Sequence, residues 1–292
     1  MARATWSGCR EPRGSRRRGR DRGAPPLPLA DRSLGGMHRG MSAPHPDLIY
    51  DLGLHHGLDT EFYLRKGFRV VALEARPEFC ADVSARFAAE LEAGRLAVVP
   101  CALAPRGGET ISFWVNPVKD DWSSVIRDFA AKGGHEVTEI RVPTVTLTEL
   151  FDRFGVPRYL KCDIEGMDEE CARQLLADGR RPDFVSMEAS SFDIFACLRA
   201  CGYDCAQLVN QALLPGVAPP QPPREGGHAA VQFTGHHSGL FGRELEPERW
   251  QDFVEVVQSW LDFVRLWKRD SRLAHGWLDV HATRREVLAA KP

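Results

Sequence analysis

From residue 48 onward the apolar and polar positions fall into short buried runs separated by amphipathic ones. LIYDLGL (48–54) is an apolar run ending in a glycine turn. A helix is expected over 59–66, with Asp59 as its N-cap and Gly67 as its stop. VVALEA (70–75) reads as a second buried strand, Pro77 opens a helix reaching about residue 92, and LAVVPCAL (96–103) is a third strand. Strands alternating with helices at this spacing predict parallel βαβ units, hence a sheet with helices on both faces.

The alternation lapses and then resumes. ETISFWV (109–115) alternates like a strand, NPVKDDWSS reads as a loop, and EIRVPTVTL (139–147) is extended. A helix over 146–155 ends at Gly155, followed by the strand YLKCDI (159–164) and a helix at about 167–178. DFVSMEA (183–189), a helix over 192–201 and the strand YDCAQLV (203–209) complete the series. Residues 211–242 are rich in Pro and Gly and too long for a plain connection, so they read as a functional or a disordered loop. Pro247 starts an amphipathic helix whose Trp250, Phe253, Val257, Trp260, Val264 and Trp267 recur at helical spacing. Packing on the sheet is its expected role, with a partner or membrane surface as the alternative. The organisation is therefore an Arg/Pro-rich disordered extension (1–46), a core (47–210), the loop (211–242) and a C-terminal helix and tail packing on the core (243–292).

Charge changes this picture at one place. The formal net charge is −2 over 292 residues, but residues 1–40 hold ten Arg against three acidic residues, a balance of +7. The other 252 positions then carry −9, which argues against a general nucleic-acid binder. The low-complexity head (SRRRGRDRG, then APPLPL) reads as a disordered tail, or as an extension ahead of an internal start at Met37 or Met41. A nucleic-acid arm or a transit peptide is the functional alternative. No apolar run approaches the roughly 18–20 residues of a membrane helix, and no secretory apolar segment follows Arg22. The eight Cys include no C-x-x-C pair, which suits reduced thiols in a cytoplasmic protein. Cys197, Cys201 and Cys205 have helical spacing, but Gly202 interrupts it, so they read as small buried hydrophobes rather than a metal face.

The candidate chemistry sits at Asp51-Leu-Gly53-Leu-His-His-Gly57, a strand–turn–helix joint that would place a ligand at the carboxyl end of the sheet. Glu74, 21 residues after Gly53, closes the second strand where an acidic group can accept hydrogen bonds from a ribose diol. A dinucleotide site needs G-x-G-x-x-G, and here His55 and Leu58 occupy the second and third glycine positions. D-x-G-x-x-x-G suits S-adenosyl-L-methionine, which has no phosphate to cradle.

Residues 48–190 resemble the FkbM family of S-adenosylmethionine-dependent methyltransferases through DLGLHHG, VVALEA, TVTLTEL and, most specifically, YLKCDIEG. HSGLFGREL and GWLDVHATR extend the similarity to about residue 282. Leu54-His55 replaces the family's Ala-Asn pair, and Thr148 replaces an Asp. The resemblance implies an α/β, Rossmann-like class I methyltransferase fold with a mostly parallel seven-stranded sheet. It implies cofactor contacts at Asp51, Gly53, Leu54, His55, Gly57 and Glu74, with Ala75 and Ala102 at neighbouring strand ends. Asp163 and Glu165 would face the acceptor, a hydroxyl on a small molecule or glycan, with Asp163 positioning it or acting as base. The alternative for Asp163, Glu165, Asp168, Glu169 and Glu170 is simply to favour the following helix N-terminus.

Glu188 ends the fifth core strand at the same rim. His236 and His237 lie in the long loop as base, lid or solvated residues, and His135 is open in role. Ser123-Ser124 resemble a family serine pair near cofactor or acceptor. No metal is expected, because DIEGMDEE lacks a calcium-loop pattern. Neither a membrane nor nucleic acid is an expected partner, and the oligomeric state is open. The alternatives to this enzyme are a non-catalytic scaffold of the same fold, an NAD-dependent oxidoreductase, and an RNA methyltransferase directed by the basic head.

Overall fold

The structure, a computed structural model, describes residues 43–290. The expectations for the basic head and its internal start codons lie outside the described residues. Strand β1 (His45–Leu52) begins within the last two positions of the expected extension. In chain order there follow α1 (Leu58–Arg65), β2 (Arg69–Leu73), α2 (Pro77–Arg86), α3 (Ala88–Glu92), β3 (Leu96–Val99) and β4 (Ala102–Leu103). Next come β5 (Thr110–Val115), α4 (Arg127–Ala130), β6 (Thr138–Val145), α5 (Leu147–Phe154), β7 (Pro157–Cys162) and α6 (Asp168–Asp178). The chain ends in β8 (Phe184–Glu188), α7 (Phe192–Ala200), β9 (Cys205–Asn210), β10 (Gln251–Asp252), α8 (Phe253–Arg269), β11 (Leu278–Thr283) and α9 (Arg285–Ala289).

The main sheet is mixed and has eight strands, in the order β10-β9-β11-β8-β7-β1-β2-β3, which corrects the expected seven. From β8 to β3 every pairing is parallel, while β11 runs antiparallel between β8 and β9. The surplus strand is the two-residue edge β10. ETISFWV and EIRVPTVTL leave the main sheet altogether and pair antiparallel as β5 and β6, with β4 on the other side of β6.

The period-two pattern of the strands divides the core. Leu48, Tyr50 and Leu52 of β1 face a cluster with Leu150 and Phe151 of α5, Leu175 of α6, Phe195 of α7 and Trp260 of α8. Ile49 faces the other side, with Phe62 and Tyr63 of α1. On that side the covering element is the Pro/Gly-rich segment. Phe241 meets the rings of Phe62, Tyr63, Phe68 and Tyr159 at centroid distances of 5.0–5.9 Å. Lys66 and Glu244, both fully buried side chains, pair at 2.5 Å and fasten the segment to the end of α1. The seven described cysteines are buried free thiols, Cys197, Cys201 and Cys205 among them.

Several helix ends differ from expectation. The N-cap of α1 is Gly57, at φ 70°, and Asp59 lies inside the helix with its carboxylate accepting the Ser238 N–H at 3.0 Å. The helix expected over 77–92 breaks at Phe87 (φ −111°, ψ 36°). Pro247 opens only a short 3-10 turn; α8 starts at Phe253, where the Asp252 side chain accepts the Val254 N–H at 2.9 Å. Helix α8 packs on the sheet through the buried Phe253, Val256 and Trp260 and the partly buried Phe263 and Val264, while Trp267 near its end is 49% exposed. No helix among the described residues is long and apolar enough to cross a membrane.

Candidate active site

A cavity of about 430 Å³ opens where β1, β2, β7 and β8 end, the rim at which parallel sheets bind ligands. Its floor is the turn after β1. Gly53 has φ +90°, and a Cβ there would lie 1.8 Å from the Asp163 carbonyl oxygen, so only glycine lets β1 turn this close to β7. The Gly53 and Leu54 N–H groups both donate to Leu73 O at 3.0 Å, tying the turn to the end of β2. Glu74 comes next. Its Oε2 accepts the His55 N–H and its Oε1 the Arg76 N–H, each at 2.8 Å, so a buried carboxylate is fixed at the cavity wall. Burial raises the Glu74 pKa and the two N–H donors oppose that rise.

Beneath this floor lies a charge cluster. Asp51 and Lys161 are register partners on β1 and β7, and the ammonium donates to Asp51 Oδ1 at 2.9 Å and to Gly53 O at 3.0 Å. Asp59 lies 3.5 Å and Asp163 4.0 Å from the same nitrogen. Thr60 donates to the second Asp51 oxygen at 2.7 Å. Burial lowers the Lys161 pKa in isolation, but three nearby carboxylates outweigh it and hold it well above the usual lysine value.

The opposite wall is acidic. Asp163, Glu165, Glu188 and Asp279 line it together with Lys132, Phe129 and Trp277. Glu165 adopts φ 50°, and its carbonyl accepts the Ser124 hydroxyl at 2.6 Å, which fastens the loop after β5 to this turn. Burial, followed by repulsion from Asp163 and Glu188, raises the Glu165 pKa. Asp168 is buried behind the wall, where the same two causes push it up to about 8. Gln211 donates to Asp279 at 2.6 Å. Asp163 is the open carboxylate of the group, its side chain 48% exposed.

Two segments roof the cavity, residues 119–123 and 235–238. Asn116 shapes the first: its side-chain oxygen accepts the Val118 and Lys119 N–H groups, and its amide donates to Ala130 O at 2.7 Å. Its amide also lies 3.0 Å from His135 Nδ1, and His135 stacks on Trp122, which gives that histidine a place in the loop's support. Ser123 Oγ accepts the Asn116 N–H. Asp120 approaches the glycine turn, its carboxylate 3.0 Å from His56 Nε2 and 3.5 Å from His55 Nε2. His55, pushed down to about 4 by burial and then by His56, is neutral at ordinary pH. His236 and His237 belong to the second segment, with the His236 ring 6.1 Å from that of His55.

The model of the FkbM methyltransferase domain matches residues 51–205, from the end of β1 to the start of β9. The chain belongs to the FkbM methyltransferase family. Among solved structures it is similar to the FkbM methyltransferase of Methylobacillus flagellatus KT, with 17% identity, 49% of this chain and 32% of that chain covered, and a TM-score of 0.31. It is also similar to the precorrin-6y C5,15-methyltransferase of Geobacter metallireducens GS-15, with 13% identity, 84% and 82% covered, and a TM-score of 0.36. The chain thus spans about a third of the first of these two structures. No curated protein matches it.

The structure brings Gly53, Leu54, His55, Glu74, Ala75, Ala102, Asp163 and Glu165 together on the lining of one cavity. Asp51 and Gly57 are not on the lining. Asp51 lies beneath the floor, and Gly57 packs where a Cβ would meet Val83 and Arg86 at 2.9 Å. Lys161, Asp120, Trp277 and Asp279 were not anticipated from sequence. A lysine within the apolar run YLKCDI was the available signal for the first, since a charge buried in a strand needs partners.

Proposed function

We propose that this methyltransferase binds S-adenosyl-L-methionine against the Gly53 turn and Glu74 and methylates a hydroxyl of a small molecule or sugar. The observation that carries the reading is the Glu74 carboxylate, held by two backbone N–H groups at the end of β2 beside a glycine-only turn. Its remaining lone pairs suit a ribose diol. The run β3-β2-β1-β7-β8-β11-β9, with one antiparallel strand inserted, supports the Rossmann-like class I reading. Buried free thiols fit a reducing compartment such as the cytoplasm.

When bound, the cofactor supplies an electrophilic methyl group on sulfur. Asp163, the open carboxylate beside the cavity, is placed to take the acceptor hydroxyl proton as the oxygen attacks. Glu165, whose raised pKa keeps its proton, serves as a hydrogen-bond donor that orients the acceptor. The roof segments exclude water from the reacting atoms.

Calorimetry with S-adenosylmethionine tests the cofactor half. A hydrogen bond to a charged group contributes about 1.5–3 kcal/mol, so Glu74→Ala should weaken binding by about tenfold or more. A folded wild-type protein that does not bind, or an E74A variant that binds equally, refutes the assignment. Transfer of a tritiated methyl group into candidate hydroxyl compounds then separates an enzyme from a cofactor-binding scaffold.

A further inference from the structure

We propose that His55, His56 and Asp120 form a binding site for one divalent transition-metal ion of the zinc class, which fastens the Asp120–Trp122 turn to the glycine turn after β1. Two imidazole nitrogens and a carboxylate are a borderline donor set that selects zinc-like ions over magnesium or calcium, which take oxygen ligands. The three donor atoms lie within 4.8 Å of one another. A tetrahedral site with bonds of about 2.05 Å separates its ligand atoms by about 3.4 Å. The observed His–Asp separations, 3.0 and 3.5 Å, fall on either side of that value, one to each carboxylate oxygen.

The ligands are also held in place without an ion. The His55 backbone is fixed by its N–H bond to Glu74 at φ 48°, a conformation that non-glycine residues seldom adopt. Both imidazoles rest on Phe79, at centroid distances of 4.9 Å for His55 and 4.6 Å for His56. Asp120 Oδ1 accepts the Asp121 N–H at 3.0 Å. One feature is unexplained by this packing: His55 Nε2 is buried and has no hydrogen-bond partner. Leaving a polar nitrogen so is unfavourable, and a metal ion between it and Asp120 would give it a partner.

The site joins residues 64 positions apart, one from the floor of the cavity and one from its roof. An ion there would hold the roof over the cofactor side of the cavity, with its fourth position open to water or ligand. His55 stands where the family's Ala-Asn pair has Asn, so the proposed site is a property of this chain rather than of the family pattern.

The test uses full-length protein without a polyhistidine tag, stripped by a chelator and titrated in the absence of S-adenosylmethionine. Its outcome is therefore independent of the cofactor reading. Zn²⁺ should bind at one equivalent per chain, and Co²⁺ should give the visible band of a tetrahedral site. Asp120→Asn and His56→Gln should each weaken Zn²⁺ binding by about tenfold or more, with circular dichroism confirming that both variants fold. Tryptic cleavage at the exposed Lys119 should slow on adding Zn²⁺ to wild type and not to D120N. The absence of a one-equivalent site in the folded wild type, or equal affinity in both variants, overturns the site. Cleavage at Lys119 that ignores Zn²⁺ overturns the fastening role.

Discussion

Replacing Lys161 with Met tests how the floor of the site is held. The side chain is 5% exposed, and its partners Asp51 and Asp59 are 0% and 5% exposed. Met fills a similar volume but removes the ammonium that donates to Asp51 and to Gly53 O. Thr60 still donates to Asp51 and the Ser238 N–H to Asp59, yet two buried carboxylates are left with no cation between them. Breaking a buried ion pair by removing one partner costs about 3–5 kcal/mol. In a domain of this size each kcal/mol moves the melting temperature by about 2–4 °C, so K161M should melt about 6–20 °C below wild type near neutral pH.

The sign of the pH dependence makes this test sharper. Burial already raises the Asp59 pKa in the wild type, and Lys161 is the largest influence opposing it. Without the ammonium the folded-state pKa rises further. A group with a raised folded pKa contributes stability that is complete below its unfolded value and lost as pH rises through the folded one. The deficit of K161M should therefore shrink as pH falls from about 7 toward about 5. Differential scanning calorimetry of both proteins without ligand across this range measures it. A K161M melting temperature within about 2 °C of wild type at neutral pH, or a deficit that widens in acid, would show that the cluster is not held by this charge.

Three other outcomes follow from the same geometry. Gly53→Ala combines an unfavourable φ with a Cβ 1.8 Å from a carbonyl oxygen, so it should cost more than about 4 kcal/mol and abolish soluble expression; a soluble variant with native circular dichroism would contradict the close approach. Lys66→Met and Glu244→Gln should each destabilise by about 3–5 kcal/mol and expose residues 211–242 to protease, while the double variant loses less than the sum in denaturant unfolding; additive losses would mean that the two residues act separately. Asp168, at about 8 in the folded protein against 3.8 as the ordinary value, stabilises fully below about pH 4 and loses this as pH rises through about 8. Asp168→Asn should therefore flatten the fall in melting temperature over that interval, and an unchanged slope would count against the buried acid.

What the sequence disclosed and what it hid divide along physical lines. VVALEA and YLKCDI were legible as β2 and β7 because burial on both faces demands apolar runs, and the Gly67 and Gly155 stops were legible because they end helices. The adjacency of the Gly53 turn and Glu74 was legible too, since one βαβ unit brings neighbouring strand ends together: His55 reaches Glu74 across 19 positions. Strand β11 was not, because LDVHAT carries Asp279 and His281 into the sheet and so breaks the apolar pattern that identifies a buried strand. The covering role of residues 211–242 was hidden for a related reason. Phe233 and Phe241 are fully buried, but single aromatics in a Pro/Gly-rich stretch have no period to reveal them. Contacts such as Asp120 with His56 join residues 64 positions apart through the path of the loop after β5, and no local rule fixes such a path. Lys161 is the instructive case. A lysine inside an apolar strand is tolerated only where acids surround it, and Asp51 and Asp163 were both already candidates in their own right. Asking which buried acids that lysine required would have disclosed the pairing of Asp51 and Asp59 with Lys161 beneath the Gly53 turn.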